Sequence, residues 1–409
     1  MTYIKRHMEV CIERLSKVWP AILLTGPRQS GKTTMLRQLL DKENIGRKYV
    51  SLDDISLREL AKTDPKMFLQ LYAPPVLIDE VQYAPELFIY IKMYIDEHHN
   101  PGDFWLTGSQ IFRLIKGVQE SLAGRVALLH MSPLSQREIL GMPPEAFTTD
   151  FTKLFESSKD IRPVTTYELY ERIWKGSMPR VNSNPNEDRD IYYSSYLSTY
   201  IERDVRELSG AIDALKFNRF ITAVAARTAQ LVNYKAIAED ADINQSQAKE
   251  WLSILETLGI VFLLHPYSNN VLKRTIKTPK LYFYDTGMVC YLTKWSSPAV
   301  AQNGAMSGAL LENYAVSEIV KSYQNIGKEP FINYYRDHDA KEIDVILEGD
   351  GKLCPIEIKK TASPDKRIIR TFSLIEKSPL ECGTSAILCM ADSLGAFDSN
   401  NLIVPIWLI

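Results

Sequence analysis

The stretch Gly26-Pro27-Arg28-Gln29-Ser30-Gly31-Lys32-Thr33-Thr34 constrains this chain more than any other feature. It follows the apolar run AILLT at 21–25 and precedes MLRQLLDK, which reads as a helix. A strand that enters a glycine-containing turn and leaves as a helix is the framework of a phosphate-binding loop. The glycines let backbone N–H groups turn inward, and the helix N-terminus adds its positive dipole end. Lys32 places a charge on the β- and γ-phosphates, and the Thr33 hydroxyl is suited to ligate Mg²⁺. Pro27, Arg28, Gln29, Ser30 and Thr34 complete the cradle. The expected ligands are therefore ATP and Mg²⁺.

Four more short apolar runs follow, separated by helical stretches: KYVSL at 48–52, PVLID at 75–79, FWLTG at 104–108 and VALLH at 126–130. Buried strands alternating with helices imply an α/β fold with a parallel sheet covered on both faces. Asp79 ends the third run and is the natural partner of Mg²⁺. Glu80 comes next, placed to polarise a water in line with the γ-phosphate; the alternative is an ordinary helix-cap acid. Thr107 and Ser109 end the fourth run, at the sheet edge where ligands bind. Ser109 is the preferred holder of the attacking water or the γ-phosphate.

This order of parts resembles the AAA+ class of P-loop ATPases. The segments GPRQSGKTT, SLDD, LIDEVQYAP, LTGSQ, SLAGRV, PLSQRE, IERDV, YFYDTG and IEIKK together resemble a widespread prokaryotic family of AAA+ ATPases with a C-terminal region of poorly defined function. By that resemblance Arg125, in SLAGRV, is a candidate arginine finger reaching a neighbouring subunit's nucleotide, which implies a homo-oligomer. The alternative is an arginine that satisfies the last carbonyls of a helix. Arg180, in GSMPR, is a candidate lid arginine on the nucleotide.

In the middle of the chain, VNYKAIAEDADINQSQAKEWLSILETLGIVFLLHPY reads as helix, turn, helix and strand, a winged helix-turn-helix. Its second helix carries Gln245, Gln247, Lys249 and Glu250, not a basic surface. The cations Lys273, Arg274, Lys277 and Lys280 fall in the expected wing, where they either grip DNA phosphates or form a solvated loop. Residues 296–308 are small and polar and read as a linker. Near the end, KEIDVILE and KLCPIEIKK read as strands in which Ile343, Val345 and Leu347 share one face and Asp344 takes the other. Glu357 and Lys359 share a face, and Glu312 lies on the apolar side of a helix. The set Glu312, Asp344, Glu357 and Lys359 resembles the PD-(D/E)xK nuclease superfamily, in which the acids hold a divalent ion and the lysine serves the attacking water. The alternatives are a retired nuclease fold or an ion-pair network pinning the sheet.

The expected organisation is an AAA+ core at 1–140, a helical lid at 141–212, a winged helix at 213–295 and a restriction-endonuclease-like α/β domain at 296–409. A formal charge of -2 excludes a global basic field. Five cysteines without a CxxC pair argue against a disulfide scaffold or zinc ribbon. No run is long and apolar enough for a membrane span, and the expected location is the cytoplasm. Two functions stay open: an ATPase acting on DNA, and a nucleotide-gated switch that binds a protein partner.

Overall fold

The apolar runs of the first 130 residues become β1 (Ala21–Thr25), β2 (Lys48–Ser51), β3 (Val76–Asp79), β4 (Phe104–Thr107) and β5 (Val126–His130). They pair in parallel in the order β2-β3-β4-β1-β5. The structure, a computed structural model, describes residues 2–43, 45–108, 121–210, 213–267, 278–337, 341–375 and 378–409. Side chains alternate across the sheet, so Ala21 and Leu23 join one apolar cluster with Ile78 and Leu106. Ile22 and Leu24 join another with Leu77 and Trp105. Both faces are covered, as a parallel sheet requires. The phosphate loop leaves β1 at the carboxyl edge and opens the helix Lys32–Lys42. Ahead of β1 stands the helix Met8–Leu15. The preceding Arg6 is buried in hydrogen bonds to the core.

A helical region follows, with Phe151–Asp160, Thr166–Lys175 and Pro179–Ser183. The helix Arg189–Tyr196 then runs through a π-helical turn, Leu197–Ile201, into Glu202–Ser209. Gly210 stops it at φ 85°. Next come helices Ala214–Ala225, Tyr234–Ala241 and Gln245–Thr257, then the antiparallel pair β6 (Val261–Leu264) and β7 (Lys280–Phe283). Trp251 sits edge-on to Phe217 and Phe220 at 5.5 and 5.3 Å, locking the helix Gln245–Thr257 against Ala214–Ala225.

The expected linker at 296–308 contains a helix, Pro298–Asn303, capped by Ser297 and anchored by the fully buried Ala301. The long helix Ser307–Gln324 leads to a mixed sheet. Its strands are β8 (Ile332–Arg336), β9 (Glu342–Gly349), β10 (Lys352–Ile358), β11 (Glu381–Cys382), β12 (Ser385–Cys389), β13 (Gly395–Asp398) and β14 (Asn401–Pro405). β9 is buried on both sides rather than one. Val345 and Leu347 pack into a large cluster that runs from Phe147 to Ile409, whereas Ile343 packs with Ile346, Leu353 and Ile375. That large cluster unites the helical region with the C-terminal sheet.

Candidate active site and a second charged cluster

Gly26 stands at φ 142°, and a Cβ there would collide with the Met131 carbonyl oxygen. The backbone can therefore curl only with glycine at this position. Lys32 is buried, its Nζ 3.0 and 2.8 Å from the carbonyl oxygens of Gly26 and Pro27. Burial pulls its ammonium down to about 8, against the pull of Glu80 and Asp79. The Thr33 hydroxyl donates to both Asp79 oxygens, at 2.9 and 3.1 Å. Tyr49 and Thr107 also donate to Asp79. Glu80 adopts φ 55°, a left-handed conformation uncommon for its type, and accepts from Gln82 Nε2. The structure thus brings Lys32, Thr33, Asp79, Glu80 and Thr107 together at one edge of the sheet. Ser109 lies outside the described residues. Two buried polar atoms of the loop, Gln29 Oε1 and Ser30 Oγ, have no partner among the described residues.

Beside the loop is a cavity of about 420 Å³. Thr2, Tyr3, Ile4 and Pro179 line it together with Gln29, Gly31 and Thr34. Arg180 also reaches this cavity, with its guanidinium 2.9 Å from Glu187 and half exposed. Arg6 supports the loop from below. Its Nη1 donates to the Ser30 carbonyl at 2.6 Å, Nη2 to Ser132 at 2.8 Å and Nε to Glu138 at 2.9 Å. Nothing in the sequence patterning around Arg6 marks this role. Its partner Glu138 lies in the PLSQRE segment, where Ser135 and Glu138 form a capping box.

Arg125 lies elsewhere. Val126 pairs with Ala21, at the amino end of β1. The phosphate loop leaves the carboxyl end, roughly 15 Å away at about 3.3 Å per residue. Arg125 grips Asp96 with both Nε and Nη2, at 2.5 and 3.0 Å.

The C-terminal acids converge, but around lysines. Lys280 is no wing cation: it opens β7 and is 3% exposed. Its Nζ is 2.9 Å from Glu312, is bonded to Glu342 and stands 4.0 Å from Asp344. Burial alone would lower this ammonium; Glu312, Asp344 and Glu342 reverse that and hold it above its ordinary value. Lys273, Arg274 and Lys277 lie outside the described residues. Lys359 Nζ is 2.5 Å from Glu357 and 3.3 Å from Asp344. Burial and the nearby Asp344 push Glu357 up to about 8. Burial, then Asp344, also raises Glu312. Among the described residues no three acidic, histidine or cysteine side chains are arranged to hold a metal ion. Lys280 and Lys359 both approach Asp344, and they link it to Glu312 and Glu357. Glu342 was missed in the sequence because it stands at the strand's start, outside the superfamily's pattern.

Residues 18–140 match the family model described as AAA domain. Residues 166–299 and 307–409 match two domains of unknown function, DUF8612 and DUF4143. Uncharacterized proteins of Mycobacterium tuberculosis and Mycobacterium bovis are each 29% identical over 347 residues, covering 84% of this chain and 71% of theirs. Among solved structures, a Walker-type ATPase of Pyrococcus abyssi is 15% identical with a TM-score of 0.44, covering 70% of this chain and 94% of that one. A DNA replication initiation factor is 11% identical with a TM-score of 0.26, covering 61% and 90%.

Proposed function

From an AAA domain that occupies residues 18–140, we propose that this chain is a Mg²⁺-dependent ATPase whose nucleotide cycle moves the core against the C-terminal half. The observation that carries this reading is the convergence of Lys32, Thr33, Asp79 and Glu80 on one loop and one sheet edge. Thr33 and Asp79 already share hydrogen bonds, so an oxygen-only pair suited to Mg²⁺ is in place. Bound there, the ion would neutralise charge on the phosphates. Lys32 binds the phosphates. Glu80 takes the proton of the attacking water. The cavity lined by Thr2–Ile4 and Arg180 takes the nucleoside.

Equilibrium binding and single-turnover hydrolysis separate these roles. Lys32→Ala loses nucleotide binding; Glu80→Gln keeps ATP and hydrolyses it about 10²-fold or more slowly. Wild-type turnover in Glu80→Gln would remove Glu80 from the mechanism. Arg125, being on the far edge of its own sheet, serves a neighbouring subunit if it serves any nucleotide. Mixed oligomers of Arg125→Ala and Lys32→Ala subunits then recover part of the activity that each lacks alone.

For the C-terminal half, the position of Lys280 supports the switch reading, in which a retired nuclease-like domain binds a protein partner. The DNA reading draws on the helix-turn-helix of Tyr234–Ala241 and Gln245–Thr257 followed by the β6–β7 pair. ATPase rates with and without duplex and single-stranded DNA, and a nicking assay in Mg²⁺ and Mn²⁺, decide between them. DNA stimulation that collapses steeply with salt would favour the DNA reading.

A further inference from the structure

Arg28, within the phosphate loop, is tied to the IERDV segment of the helical region. Its Nε and Nη2 reach the two oxygens of Asp204 at 2.6 and 2.8 Å, a bidentate pair. Asp204 belongs to IERDV and is 3% exposed. The Tyr196 hydroxyl donates to the Arg28 carbonyl oxygen at 3.1 Å. A Cβ at Gly259 would lie 3.1 Å from Pro27, so the turn before β6 also touches the loop. The loop that would hold the phosphates is therefore clipped to the helical region by one of its own side chains.

Lys32 Nζ reaches the carbonyl oxygen of Pro27, the residue next to Arg28, at 2.8 Å. Arg28 thus stands among the groups that surround the terminal phosphate in the ATPase reading. A phosphate offers a guanidinium the same bidentate geometry as a carboxylate, with more charge. Pulling Arg28 away would ordinarily strand a buried carboxylate. Here a replacement is at hand: Arg203 Nε is 3.8 Å from Asp204 Oδ1, on a side chain about half exposed. The π turn Leu197–Ile201 directly precedes this segment. Such turns recur at functional sites and give the helix a place to shift register.

We propose that Arg28 reads the terminal phosphate of ATP, which competes with Asp204 for the guanidinium, so that ATP and not ADP unclips the phosphate loop from the helix Glu202–Ser209. The proposal rests on the ATPase reading above. ATP then loosens the helical region at its hold on the loop, and loss of the terminal phosphate restores the clip.

The test is equilibrium binding of ADP and of a slowly hydrolysed ATP analogue to the full-length chain. Lys32→Ala is the control for the site. Arg28→Gln weakens the ATP analogue about tenfold and leaves ADP within twofold. Asp204→Asn frees Arg28 and strengthens the analogue several-fold relative to ADP. In the double variant the Asp204→Asn gain disappears. Hydrogen exchange on the wild-type protein gives a readout without substitution: amides of 196–209 exchange faster with the ATP analogue than with ADP. Equal loss of both nucleotides in Arg28→Gln, or equal exchange with both, overturns the proposal and leaves the ATPase reading standing. Failure of the wild type to bind either nucleotide overturns both.

Discussion

Lys32 carries the most consequential shift at the phosphate loop. Burial, the larger effect, lowers its ammonium to about 8 against the pull of Glu80 and Asp79. Polyphosphate binding requires the charged form. Nucleotide affinity is therefore full below about pH 8 and falls as pH rises past it, and binding at higher pH takes up a proton. Calorimetry in buffers of different ionisation enthalpy measures this uptake; its absence would mean that Lys32 does not titrate there. Glu357 gives a shift of opposite kind. Its carboxyl is raised to about 8 by burial and by Asp344, with Lys359 and the Thr371 hydroxyl also facing it. A raised folded-state value contributes stability that is complete below the ordinary carboxylate range and is lost as pH climbs through about 8. Denaturant titrations should show stability declining across that window. Glu357→Gln should flatten the decline, leaving the part due to Glu312, which is raised as well. The loop residues were legible because local chemistry dictates their types and spacing. These shifts were not, because burial and neighbours set them.

Among the elements, the segment Pro133–Glu138 ties three parts of the molecule together. Glu138 accepts from Arg6 and from the backbone N–H groups of His7 and Ser135. Its carboxyl stays below the usual range, because Arg6 and these donors outweigh its burial. On the other side, Gln136 N–H donates to Glu318 at 2.7 Å, and Lys321 Nζ reaches the Leu134 carbonyl at 3.3 Å. Glu318 and Lys321 belong to the helix Ser307–Gln324. Contacts thus run from the C-terminal helix through this segment and Arg6 to Ser30 of the loop. Arg6→Gln leaves Glu138 buried without its counter-ion and should cost about 3–5 kcal/mol in chemical denaturation. It should also weaken nucleotide binding, since the Ser30 carbonyl loses its support. Unchanged affinity in a folded variant would separate Arg6 from the site.

Across the whole molecule, Lys280 is where β7 meets the C-terminal sheet. It is the counter-charge for Glu312 on a helix and for Glu342 and Asp344 on β9. Lys280→Met should lower stability by about 3 kcal/mol or more, because it strands carboxylates in a low-dielectric seam. A double variant with Glu342→Gln should recover part of the loss. Additive losses would show that the two groups are not coupled. In the sequence Lys280 was one of four cations spaced like a wing, and no local pattern distinguishes a solvated lysine from one folded inward.

The parallel sheet, the phosphate loop and its acids were legible in the sequence because each rests on short-range rules. Strands buried on both faces must be continuously apolar, and a phosphate cradle needs glycine, lysine and threonine at set steps from a strand end. That Glu357 and Lys359 share a side was legible from strand alternation, and the two are in contact. What surrounds each charge was settled by long-range packing. Arg28 and Asp204 are 176 residues apart and Arg6 and Glu138 are 132 apart, so only folding brings them together. The same packing made Lys280, read in the sequence as either a phosphate contact or a solvated wing cation, into a buried counter-ion, because a charge without a partner in a closed interior costs more than the chain's local preferences can resist.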